Sequence, residues 1–334
     1  MARALLAAAC LVAVARGIAP RAAPRASATI APAAWPAWMP ADISLVTERA
    51  ALDLARSIQT ADVRVDDWIA HGPVRTAFYR TPAGAGGAGA PLLLLHGFDS
   101  SCLEWRRLIP LLEASGRTVV APCVLGWGFT ERGAVRDFSA AAKLAHLAAF
   151  CEQVVGEPVS VVGTSLGAAY AAQLAIRHER LAPRLCLVDP QVLVDGTGPM
   201  ASLPRPLAEL GVNVLGSRWL RGVANRLSYR APETFATADA MEVGRLPVGC
   251  DGWLDANVGY MLSGGIAVSA DLGALAERDV LLVWGRDDGI VPPADNAPRL
   301  SALLPRARLE YVDECGHVPH LEQPAVLARL LAAF

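Results

Sequence analysis

The sequence is poor in several features that whole classes of protein require. Charged residues make up 19% and aromatics 6% of the 334 positions. No stripe of Lys and Arg is interleaved with aromatics, which argues against a nucleic-acid partner. Seven cysteines (Cys10, Cys102, Cys123, Cys151, Cys186, Cys250 and Cys315) are scattered singly. Without a C-x-x-C pair a ribbon or finger zinc site is excluded, and the spread forms no disulfide framework, so these read as ordinary buried thiols. No apolar run approaches the roughly 20 residues of a membrane span, so the mature protein is expected to lack an integral membrane segment.

Acidic residues are missing from the first forty positions, which hold Arg3, Arg16, Arg21 and Arg25; the first carboxylate is Asp42. The net charge is −2, so removing those four cations leaves −2 − 4 = −6 for the rest. Ala4 to Ala15 is an apolar stretch bracketed by Arg3 and Arg16, of signal-peptide length. It is followed by an Ala-, Pro-, Arg- and Ser-rich tail of transit-peptide composition. Residues 1–40 therefore read as a targeting leader that resembles the bipartite plastid-import leaders of algae with secondary plastids, with simple secretion as the alternative.

What is abundant is apolar: 53% of residues, much of it alanine. From Val63 onward short apolar runs alternate with amphipathic segments, which predicts an α/β fold with a mostly parallel sheet and helical crossovers. The expected strands are Val63–Val65, Val74–Tyr79, Pro91–Leu95, Thr118–Val124, Val159–Val162, Leu185–Val188, Val280–Trp284 and Leu309–Val312. Ser101 and Glu104 have the spacing of a capping box opening a helix through Leu112. The strand rhythm stops between Asp189 and about Ala270, in a stretch rich in Gly and Pro that also carries Trp219, Trp253 and Tyr260. The chain thus divides into the leader (1–40), a core (41–189), a helical cap insertion (190–270) and the rest of the core (271–334).

Gly163-Thr164-Ser165-Leu166-Gly167 follows one expected strand directly and precedes an apolar helix, the context of a nucleophile elbow. Small neighbours two residues to either side let a helix pass close to the strand, and the serine needs a positive φ. Of six histidines, His317 alone lies on a loop just after a late strand, with His320 as nearest rival and His96 as a structural residue beside another loop. An orienting acid should fall between serine and histidine in the chain. Asp287 and Asp288 follow a buried strand in Trp284-Gly285-Arg286-Asp287-Asp288, and Asp189 after an earlier strand is the fallback. The backbone N–H groups of Leu166, after the serine, and of Phe98, in His96-Gly97-Phe98, are the candidate oxyanion donors.

These motifs resemble the α/β-hydrolase superfamily from about Val63 to Phe334. HGFDSSCLEWRRLIPLLE, LGWGFTE, VGTSLGAA, WGRDD and CGHVPHLEQP are similar to a plant and algal chloroplast-type group within it. Asp288 takes the acid's place in the family pattern G-x-x-D-x-x-x-P. The resemblance implies a Ser165–His317–Asp288 triad acting on a carbonyl carbon, in esters, thioesters or activated C–C bonds, without metal or organic cofactor. Relatives that attack with an aspartate at the elbow are set aside by Ser165. A ligand receptor on the same scaffold and an acyltransferase are the rival functions. Trp219, Trp253 and Tyr260 are candidates to line a pocket for an apolar acyl substrate, or to pack the cap onto the sheet.

Overall fold

The computed structural model describes residues 35–87 and 89–334. The leader expected over 1–40 lies almost wholly outside the described residues, as does Cys10. Eight strands form one sheet: β1 Gln59–Val63, β2 Val74–Arg80, β3 Leu92–Leu95, β4 Val119–Pro122, β5 Ser160–Thr164, β6 Arg184–Val188, β7 Val280–Gly285 and β8 Arg308–Val312. Their order is β1-β2-β4-β3-β5-β6-β7-β8. The β1–β2 and β2–β4 pairs are antiparallel and the remaining pairs parallel.

The apolar tetrapeptide of β3 is buried at every residue, as are all five residues of β5 and all six of β7. Such runs need helices over both faces. The α-helices of the described residues are α1 Arg49–Arg56, α2 Ile109–Ala114, α3 Ala140–Phe150, α4 Leu166–Arg177, α5 Arg205–Gly216, α6 Arg218–Ser228, α7 Pro232–Phe235, α8 Ala238–Arg245, α9 Trp253–Leu262, α10 Pro293–Leu303, α11 Pro319–Glu322 and α12 Pro324–Ala332. Two large apolar clusters sandwich the sheet. One holds Leu93, Leu95, Val161 and Tyr170; the other holds Leu92, Leu94, Val162 and Leu327. Alternate residues of one strand thus feed opposite cores, as the pleat requires. No described helix is long and apolar enough to cross a membrane.

Two local expectations are corrected. The first strand is Gln59–Val63, ending where the sequence reading starts it, because its pairing with β2 aligns Gln59 with Phe78 and Val63 with Val74. Its exposed polar residues form an edge, where alternation of apolar residues is a weak signal. After Ser101 the chain makes a 3-10 turn over Cys102–Trp105, and the α-helix starts only at Ile109. Ser101 does cap, accepting from Leu103 N–H at 3.3 Å. Glu104, however, accepts from Gly97 N–H at 2.9 Å instead of closing the box.

Helices α5 to α9 lie between β6 and β7, with no strand among them. Ala208, Val212, Trp253, Val258 and Met261 form a small cluster inside this insertion, and Phe98 of the core packs against it. Its apolar surface is completed by the core, as expected of helices too few to enclose a core of their own.

Packing is too close for a side chain where α4 crosses the sheet. A Cβ on Gly163 would lie 2.7 Å from the Ala168 Cα, and one on Gly167 would overlap the carbonyl oxygens of Leu95 and His96. Backbone cannot yield as a side-chain tip can. Gly167→Ala is therefore expected to lose about 1–3 kcal/mol of stability, the usual penalty of overpacking. Urea unfolding checks this, and a midpoint equal to wild type would show that helix and strand are free to separate.

Candidate active site

Ser165 occupies the turn from β5 into α4 with φ 51° and ψ −122°. A non-glycine residue held at positive φ is unusual and needs its surroundings to hold it there. Here three backbone bonds do so. Ser165 N–H donates to Val188 C=O at 3.0 Å, and the Ser165 C=O accepts from Ala168 N–H and Gln191 N–H, each at 3.1 Å. Leu166 N–H belongs to the first turn of α4, where amides lack an intrahelical acceptor and the helix dipole is positive. A Cβ on Gly97 would sit 3.5 Å from the Ser165 Cβ, so the Gly97–Phe98 peptide lies against the serine.

β6, β7 and β8 run parallel to β5, so their carboxyl ends deliver loops to the same edge of the sheet. His317 and Asp288 meet there, His317 Nδ1 standing 2.8 Å from Asp288 Oδ2, with 7% and 0% of their side chains exposed. The other Asp288 oxygen accepts from Ile290 N–H at 2.8 Å and Val291 N–H at 3.0 Å, which fixes the carboxylate plane. Asp287 faces outward in an ion pair with Arg230 at 2.9 Å.

Asp189 is the third member of this cluster. One ligand atom each from Asp189, Asp288 and His317 lie within 4.8 Å of one another. Asp189 Oδ1 accepts from Gly285 N–H at 2.8 Å, while Oδ2 is buried without a partner. Burial, reinforced by the Asp288 charge, pushes the Asp189 carboxyl well above the usual 3.8. Asp288 already accepts from two N–H groups and faces the His317 imidazole.

The loop bearing His317 is tied to the helical insertion. His317 N–H donates to Ser228 C=O at 2.8 Å. The Glu322 carboxylate accepts from Gly316 N–H at 2.7 Å, Ala231 N–H at 2.9 Å and Arg230 N–H at 3.2 Å. His320, read from sequence as the nearest rival, is wholly buried against Trp105, with its Nε2 3.2 Å from Glu104 Oε1. Burial alone would raise the Glu104 carboxyl, but the His320 ring, His96 and the Gly97 N–H outweigh it and hold it down at about 2. Glu104 thus joins the loop carrying Phe98 to the loop carrying His317. His96 accepts from Val124 N–H through Nε2 at 3.0 Å, a structural part; burial, against the pull of Glu104, lowers its pKa.

The three aromatic candidates separate. Tyr260 is buried and lies 6.1 Å from the Phe98 ring and 5.1 Å from that of Trp127. Trp253 is buried with its indole N–H 2.8 Å from Asp99 Oδ1. Trp219 is 52% exposed and lines an outward groove with Val223, Ala236 and Met241, apart from Ser165 and His317. Sequence reasoning passed over Asp99, Asn257 and Lys143. Lys143 is fully buried in α3, donates to the Leu125 C=O and lies 3.9 Å from the centroid of the Trp127 ring. Burial, then Arg132, pushes its pKa well down. A lysine in an alanine-rich helix reads as solvated, and only its neighbours show otherwise. Cys102, Cys123, Cys151, Cys186 and Cys315 are buried free thiols and Cys250 is partly so.

The sequence pattern of the alpha/beta hydrolase family matches residues 92–330. The chain belongs to this family. Within it, the chain is 35% identical over 245 residues to the alpha/beta hydrolase domain-containing protein VTE7 of Arabidopsis thaliana, covering 73% of this chain and 74% of that one. It is 27% identical to the 2-hydroxymuconate semialdehyde hydrolase of Pseudomonas sp. (strain CF600), over 76% of this chain and 90% of the other. Among solved structures, an esterase of Thermogutta terrifontis shares the hydrolase fold with a TM-score of 0.67 and 21% identity, over 82% of this chain and 97% of that one. The α/β-hydrolase fold and the likeness to a plant member of the family agree with the sequence reading.

The raised pKa of Asp189 has a measurable consequence. Its folded-state pKa is raised, so between 3.8 and that raised value the native state holds one proton more than the unfolded chain. Stability then falls as pH rises through this window. Asp189→Asn places a permanent neutral donor and acceptor there and removes that slope. Urea unfolding between about pH 4 and pH 8 should find the variant gaining on wild type as pH rises, with the two converging at the acid end. Parallel curves would mean that Asp189 is ionised.

Proposed function

We propose that the protein is a serine hydrolase that cleaves an ester, thioester or related carbonyl substrate with an apolar acyl part. Ser165 attacks the carbonyl carbon, His317 Nε2 takes the serine proton, and Asp288 holds the imidazole through Nδ1–H. The N–H groups of Phe98 and Leu166 receive the developing oxyanion. His317 then returns its proton to the leaving group, which departs from an acyl-serine. Water, deprotonated by the same histidine, releases the acid and regenerates Ser165. The observation that carries this reading is the buried 2.8 Å contact between His317 Nδ1 and Asp288 Oδ2 on a sheet edge that also bears a serine at positive φ.

Both ester and C–C bond hydrolysis begin with attack on a carbonyl, and the hydrolase name of the semialdehyde relative favours water as the acyl acceptor over an alcohol and catalysis over a receptor. Tyr260, whose ring lies 6.1 Å from that of Phe98, supports an apolar acyl group. The helical insertion over 190–270 acts as the cap of the site.

Ser165→Ala is expected to abolish both turnover of short p-nitrophenyl esters and labelling by a fluorophosphonate. Asp288→Asn should lower kcat by about 10⁴, as loss of the orienting carboxylate does in other serine hydrolases. Labelling that survives in Ser165→Ala would end the proposal, and a single slow turnover with ligand-dependent partner binding would turn it toward the receptor.

The leader composition and the likeness to a plant protein support plastid import. Residues 1–40 fused to a fluorescent protein are expected to direct it to the plastid of an alga with secondary plastids; secretion of the fusion would replace this reading with the simpler one.

A further inference from the structure

Asp99 follows Phe98 and is, like Ser165, a non-glycine residue at positive φ, here 47°. Its side chain is 1% exposed. Every side-chain donor to its carboxylate comes from the helical insertion. Oδ1 accepts from Trp253 Nε1–H at 2.8 Å and from Asn257 Nδ2–H at 3.1 Å, both on α9. Oδ2 accepts from Arg221 Nη2 on α6. The Arg221 guanidinium is itself held within the insertion, its Nε–H donating to Leu215 C=O at 3.0 Å. Asn257 also accepts from Trp127 Nε1–H at 3.1 Å, and the Trp127 ring meets Phe98 edge-on at 5.4 Å.

The Phe98 peptide is therefore clamped on both sides. Gly97 is held from the core by Glu104, and Asp99 is held from the insertion. These two clamps differ in kind. Glu104 is part of the core and stays in place if the insertion lifts. If the insertion lifts, Asp99 would lose all three side-chain donors at once and water would replace them around its carboxylate. Those donors, with Arg221 Nη1 reaching the Asp99 C=O at 3.5 Å, support Asp99 at positive φ, and that support would go with the insertion.

We propose that Asp99 is a positioning residue that couples seating of the helical insertion to the aim of the Phe98 N–H, so that the oxyanion donor is in place only while Arg221, Trp253 and Asn257 are docked on it. The inference rests on the serine-hydrolase reading for its catalytic half alone. It assigns Trp253 to the latch and leaves Tyr260 as the aromatic facing the substrate.

The test compares Asp99→Asn, Arg221→Gln, their double variant and Trp253→Phe in the full chain, with kcat expressed per fluorophosphonate-titrated site. Asp99→Asn should lower kcat about tenfold to a hundredfold, approaching the loss of an oxyanion donor, with KM nearly unchanged. Affinity for an alkyl boronic acid, whose serine adduct presents an oxygen to the N–H pair, should fall in parallel. Arg221→Gln should add little on top of Asp99→Asn, since both break one latch. Trp253→Phe keeps an aromatic ring in the cluster, removes one donor and should show a smaller change in the same direction, which decides the matter if Asp99→Asn does not fold. Limited proteolysis should cut residues 190–262 of Asp99→Asn faster than those of wild type.

A merely structural role would reduce the titrated fraction and leave kcat per site and boronate affinity at wild-type values, overturning the proposal. Fully additive single variants would overturn it too. If wild type itself fails to label, the serine reading falls separately, and equal proteolysis of wild type and Asp99→Asn then refutes the latch by itself.

Discussion

The arrangement depends on the close crossing of α4 over the carboxyl ends of β3 and β5. Gly163 and Gly167 bring two backbones to a separation that admits no Cβ. That crossing forces the chain to turn within one residue, which is why Ser165 sits at positive φ with its N–H spent on Val188. The strain at the serine is held by ordinary peptide hydrogen bonds to neighbouring segments. The amides that follow lie at a helix N-terminus, where partial positive charge is available to an anion.

Around this crossing the molecule buries an unusual number of ionisable groups for so apolar a chain, and each has a specific neighbour. Asp288 faces His317, and Glu104 contacts His320 and Gly97. Glu322 gathers three backbone N–H groups, and Asp99 gathers three side chains. Two buried carboxylates next to each other cannot both ionise cheaply, and burial beside Asp288 raises the Asp189 pKa accordingly. Low dielectric strengthens each satisfied pair and penalises each broken one, so the loops they join are held to a narrow set of positions.

The helical insertion is part of that network. Residues 228–231 brace the His317 loop through backbone bonds, and α6 and α9 brace the Phe98 loop through Asp99. Parts of the site separated by more than 200 residues are thus held by one element. The insertion therefore touches both the His317 loop and the Phe98 loop.

The sheet was legible in the sequence because buried parallel strands need continuous apolar runs, and Leu92–Leu95, Val159–Val162 and Val280–Trp284 admit no other use. The elbow was legible because only glycine tolerates the crossing. The edge strand β1 was misplaced by a few residues, since exposed strands carry little pattern, and Glu104 was read as a capping residue when it anchors Gly97. Which of Asp189, Asp287 and Asp288 meets His317 is a matter of where three strand ends arrive, and local sequence does not encode distance. Asp99, Asn257 and Lys143 look like ordinary surface polar residues in a linear reading. Composition and periodicity report the burial of apolar side chains, which is set locally. The partners of a buried charge come from chain segments far apart, and only their packing in three dimensions decides them.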